Sequence, residues 1–117
     1  MDGKKLGEWV GGWPGVASSM KWEDDLVFTV ADKMFCVICV QGPKAGSLSF
    51  KVEDERFLEL TGRPGFQPAP YLARAHWVYL EHPGKALSAA ELRTLLRRSY
   101  ELVRERLPKK TQRELAD

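Results

Sequence analysis

Near the C-terminus, Leu92, Leu95, Leu96, Ser99, Val103 and Leu107 recur at intervals of three and four residues. That spacing lays them along one face of a helix, and such a face is stable only under a broad apolar cover. Ser88 and Glu91 stand in the capping-box relation that opens such a helix. Tyr100 flanks the stripe, and Pro108 closes it. Residues 111–117 are expected to be a charged tail that frays.

The cover is expected from the middle of the chain. Leu26 to Ala31 and Met34 to Val40 are rich in β-branched and aromatic residues, with Asp32-Lys33 between them. They read as an antiparallel hairpin, although Asp-Lys is not a favoured two-residue turn. Ser47 to Val52 alternates, with Leu48, Phe50 and Val52 on one face. A short helix is expected from Asp54 to Leu60, then a turn region across Thr61 to Pro70. Tyr71 to Ala75 suits a helical turn, His76 to Leu80 a further strand, and His82 to Lys85 a turn. At the N-terminus, Lys4 to Val10 forms a short helix stopped by Gly11-Gly12 and Trp13-Pro14-Gly15. Val16 to Asp25 is expected to be a loop or irregular segment. The resulting class is α+β: two layers, an antiparallel sheet with helices packed on one face. Residues 1–110 make a single domain, since 117 residues are too few for two ordinary ones.

Few kinds of chemistry fit this sequence. Cys36 and Cys39 have the spacing of a redox or zinc pair, but three residues apart in a strand they point to opposite faces. A structural zinc site also needs four ligands, and no second cysteine pair exists. Two histidines exclude a three-histidine centre, and no nucleophile elbow, HExxH, phosphate loop or dinucleotide fingerprint occurs. The expectation is therefore no enzyme, no cofactor and no metal. No apolar run suits a signal peptide or a membrane span, so the expected setting is cytoplasmic, with no membrane partner.

Charge is more informative by region than in total. The net value is only +2, but residues 1–60 carry 7 basic and 10 acidic side chains, whereas residues 61–117 carry 11 and 6. Arg93, Arg97 and Arg104 project close together on the last helix, while Arg98 lies nearer Glu101 and Glu105. An arginine stripe suits phosphate oxygens, and a solvated face laced by Arg97–Glu101 pairs is the plainer alternative. The four tryptophans, Trp9, Trp13, Trp22 and Trp77, suit either base stacking or core filling.

The ordered motifs then resemble one family. Trp13-Pro14-Gly15-Val16, Val27-Phe28-Thr29-Val30, Lys33-Met34-Phe35 and Leu48-Ser49-Phe50-Lys51-Val52 are followed by Gly62-Arg63-Pro64-Gly65-Phe66. Pro68 to Ala75, His76-Trp77-Val78, Ser99 to Val103 and Leu107 to Lys110 complete a pattern over residues 9 to 110. It is similar to the MmcQ/YjbR family, whose members are named as DNA-binding proteins. The resemblance implies a secretion-chaperone-like α+β fold, described for some members as a double wing. Double-stranded DNA would then meet the 41–46 loop, the 61–75 segment and the arginine side of the last helix. Lys44, Lys51, Arg63, Arg74, Arg93 and Arg97 are the candidate phosphate contacts. Tyr71, His76 and Trp77 are candidates for a pocket or for loop packing. The alternatives are a protein-interaction or adaptor domain, with a protein partner or as a homodimer, or a small-ligand-binding domain.

Overall fold

The apolar stripe finds its cover in a six-stranded sheet in the computed structural model, which describes residues 1–115. Helix α1 (Gly3–Val10) precedes strands β1 (Val16–Lys21), β2 (Asp25–Val30), β3 (Lys33–Cys39) and β4 (Leu48–Lys51). A 3-10 turn at Asp54–Arg56 enters α2 (Phe57–Thr61), and the two-residue strand β5 (Gln67–Pro68) follows. A second 3-10 turn (Ala73–Ala75) leads to β6 (Trp77–Leu80) and then to α3 (Pro83–Ala86), α4 (Ala89–Arg104) and α5 (Lys109–Glu114). The strands lie in the order β1-β2-β3-β4-β6-β5, antiparallel at every junction. The fold is α+β, with α1 and α4 packed on one face of the sheet. Among the described residues, no helix is long and apolar enough to cross a membrane.

Local chemistry accounts for both main helices. Asp2 accepts a hydrogen bond from the Lys5 backbone N–H at 2.8 Å and caps α1. Ser88 accepts from the Glu91 N–H at 3.1 Å and caps α4. The reciprocal half of the capping box is absent, because the Glu91 carboxylate is turned to Arg63 instead. Leu92, Leu95, Leu96, Val103 and Leu107 enter one core with Phe35, Ile38, Leu48, Phe50 and Leu80 from the sheet and Leu6 and Val10 from α1. Tyr100, expected beside the stripe, is wholly buried within it. Its hydroxyl donates to the Pro14 carbonyl at 2.5 Å, tying α4 to the turn after α1.

Four expectations need correction. Val16 to Asp25 is not irregular: most of it is edge strand β1, paired residue by residue from Val16↔Val30 to Lys21↔Asp25. Its side chains are almost all exposed, so no burial pattern marked it. The His82 to Lys85 turn is largely the short helix α3. The tail beyond Pro108 begins as helix α5, and Leu115 folds back on Gly15, whose φ of +79° and missing side chain leave room for it. Residues 116 and 117 of that tail lie outside the described residues.

The hairpin between β2 and β3 turns one residue earlier than the sequence suggests. Ala31 and Asp32 form the turn, with φ of +46° and +68°, between the paired Val30 and Lys33. Both residues are left-handed, as a type I′ turn demands, and alanine has no side chain to compensate for that conformation. The double replacement Ala31→Asn, Asp32→Gly is therefore expected to raise unfolding stability by about 1–2 kcal/mol. Urea denaturation checks it, and an unmoved midpoint would show that the turn is unstrained.

Further along the same hairpin the register slips, with Phe28 opposite Cys36 but Thr29 opposite Met34. Phe35 is the extra residue of a β-bulge. A bulge leaves backbone groups outside the ladder, and Ser99 serves this one. Its buried hydroxyl donates to the Phe35 carbonyl at 2.6 Å and accepts from the Lys51 N–H at 3.0 Å. One side chain of α4 thus joins β3 to β4 beyond their last backbone pair, Cys36↔Phe50.

Candidate nucleic-acid interface

Helix α1 and the turn after it set Trp9 and Trp13 against one side of α4, where Arg93 and Arg97 stand one turn apart. The Arg93 guanidinium lies 4.3 Å from the centre of the Trp9 ring. Arg97 lies 5.1 Å from that of Trp13 and 4.8 Å from that of Tyr100. Trp13 is itself fixed by the core, with ring centres 6.1 Å from Phe35 and 5.2 Å from Tyr100. Each cation is thus held on an aromatic face, which reduces the side-chain entropy lost when it meets a ligand. Trp9, Trp13, Arg93 and Arg97 line a groove of about 780 Å³.

The groove has mixed charge. Glu8, Glu53 and Glu101 line it as well. Arg97 Nε donates to Glu101 at 3.2 Å. Arg98 is gripped by Glu53 at 3.4 Å and Glu105 at 3.1 Å, so it is largely neutralised. Among the described residues, Arg93 has no carboxylate within ion-pair distance. An exposed guanidinium that rests on an indole and lacks an anion can donate paired hydrogen bonds to a phosphate.

The other candidate cations lie elsewhere. Lys44, in the 41–46 loop, pairs with Glu81 at 2.6 Å, and that hydrogen bond raises its pKa. Lys51 is buried and donates its Nζ to the Ala75 carbonyl at 2.6 Å. Burial, followed by the charge of Arg106, pushes its pKa down. Arg63 makes two hydrogen bonds to Glu91, at 2.7 and 3.0 Å, and lies over the Phe66 ring. The same contact holds the Glu91 carboxyl below its usual range. Arg74 is exposed on the second 3-10 turn. Of the six, the structure brings only Arg93 and Arg97 into one groove.

The aromatic candidates separate in the same way. Tyr71 is exposed, with φ of +65°, and lines a second cleft. His76 places Nδ1 2.6 Å from the Asp54 carboxylate and packs its ring on Phe57. Trp77 is buried in the sheet and lines neither groove nor cleft. Sequence reasoning alone pairs neither Trp9 nor Trp13 with the arginines. Their four-residue spacing matches that of Arg93 and Arg97, but only the packing of α1 on α4 shows that the two pairs meet.

The cysteines lie on opposite faces of β3. Cys36 is buried in the core, which pushes its thiol pKa up, and Cys39 donates its Sγ–H to the Gln41 carbonyl at 3.1 Å. Among the described residues, no group of three or more His, Cys, Asp or Glu side chains is placed to hold a metal ion.

A family model described as YjbR matches residues 12–102. The crystal structure of a Deinococcus radiodurans protein with a DUF419 domain is similar at 28% identity and a TM-score of 0.82, covering 97% of this chain and 87% of that one. A Pseudomonas syringae protein shares the fold at 24% identity and a TM-score of 0.68, covering 88% of this chain and 99% of that one. No curated protein matches this chain.

Proposed function

The chain belongs to the YjbR family, and from that premise we propose that it is a non-catalytic module that binds double-stranded DNA through phosphate contacts. The observation that carries this reading is Arg93, held on Trp9 beside Arg97 at an open groove and without a carboxylate partner among the described residues. Arg93 and Arg97 are the principal phosphate contacts, with the exposed Arg74 as an outlying one. Nothing in the groove selects a base, so binding is indifferent to sequence. The groove's glutamates and a net charge of only +2 keep it weak.

Fluorescence anisotropy with labelled duplexes tests the reading across a range of salt. If about 2–3 phosphates are neutralised, log affinity falls with log salt at a slope of roughly −2 to −3. Arg93→Glu is expected to weaken binding to unrelated duplexes alike, while Glu8→Gln strengthens it. No association at about 50 mM salt, where phosphate contacts are strongest, would overturn the function. Binding that ignores both substitutions would move it away from this groove.

A further inference from the structure

The face of β3 turned away from α4 carries a different kind of site. Cys36 and Ile38 enter the core beneath α4, so Val37 and Cys39 point to the other side of the sheet. There Met34, Val37 and Tyr79 line a cleft of about 550 Å³. Trp22 and Tyr71 line it from two separate turns, and both are strongly exposed, at 65% and 104%. Their φ values are +52° and +65°. A bulky residue seldom adopts that left-handed backbone, and here two turns use it to carry large rings beside one cleft.

Asp25 also lines the cleft. Its carboxylate has no hydrogen bond or ion pair among the described residues, although Lys21 stands opposite it in the register. Burial and the neighbouring Asp24 carboxylate raise its pKa. No lysine or arginine lines the cleft.

We propose that this cleft binds a small organic cation, an ammonium group on an aromatic or alkyl body, against the rings of Trp22, Tyr71 and Tyr79 with its charge met by Asp25. The ring faces carry negative potential, which attracts a cation while their surface accepts an apolar body. Asp25 sets the sign of the ligand. A neutral ligand would desolvate the carboxylate without pairing it, and an anion would be repelled. The site lies on the opposite side of the sheet from Arg93 and Arg97, so it stands independently of DNA binding.

The test compares 2-phenylethylammonium with 2-phenylethanol, which replaces the charged group by a neutral one of similar size. Amide chemical shifts of Val37 and Tyr79 report occupancy. The ammonium is expected to bind saturably with a Kd on the order of millimolar, a reasonable strength for so few atoms. Its preference over the alcohol should be about tenfold. Asp25→Asn should reduce that preference severalfold, by weakening ammonium binding and relieving the desolvation that the alcohol imposes on the carboxylate. Trp22→Ala should weaken ammonium binding severalfold, and the exposure of Trp22 makes this variant safe for the fold. Equal affinity for the two probes in the wild-type protein overturns the proposal, as does the absence of saturable shifts at Val37 and Tyr79. A preference undiminished by either substitution in folded variants overturns it as well.

Discussion

Replacing Ser99 with Ala is expected to destabilise the protein by about 2–5 kcal/mol, far more than the loss of one oxygen from a helix surface. The hydroxyl serves two buried backbone groups at once, the Phe35 carbonyl and the Lys51 N–H. Removing it leaves both without their partner, and each orphaned group costs about 1–3 kcal/mol. The contrasting variant is Thr94→Ala on the exposed side of the same helix, where the hydroxyl only returns to the Ala90 carbonyl. That change should stay within about 0.5 kcal/mol. Equilibrium urea unfolding of the two variants decides the matter. Equal losses would mean that the hydroxyl does not hold β3 to β4.

Leu96→Ala is expected to cost about 2–5 kcal/mol by a different mechanism. Leu96 is fully buried between α4 and the sheet, so truncation loses transfer energy and leaves a cavity that the surrounding strands fill only in part. Its neighbour Arg97 lies on the ring faces of Trp13 and Tyr100 and is half-buried. Arg97→Ala should therefore cost about 0.5–1 kcal/mol, the worth of a partly solvated cation–π contact. Denaturant midpoints of the pair measure the difference. A loss at Arg97 as large as that at Leu96 would place the groove inside the core.

The arginine groove was half legible. The four-residue step from Arg93 to Arg97 is visible along the chain, because a helix repeats every 3.6 residues. What those arginines rest on is not, since Trp9 and Trp13 lie more than eighty residues away in the sequence. Lys51 and Arg63 show the converse. In the sequence each is a candidate phosphate contact, but folding turns Lys51 to the Ala75 carbonyl and Arg63 to Glu91. Whether a charge remains available to a ligand depends on its partners in space.

The sequence alone determined α4, its Ser88 cap and its buried stripe, because these depend on neighbours three and four residues apart. It also determined the β2–β3–β4 succession and, through ordered motifs, the family. Tertiary structure decided that Val16 to Lys21 is a strand, since those exposed side chains carry no pattern and only hydrogen bonds to β2 order them. It also decided that the bulge at Phe35 meets Ser99, 64 residues further on. A polar side chain on an apolar stripe announces that it needs a partner, but which backbone group becomes that partner is settled only when helix and sheet pack together.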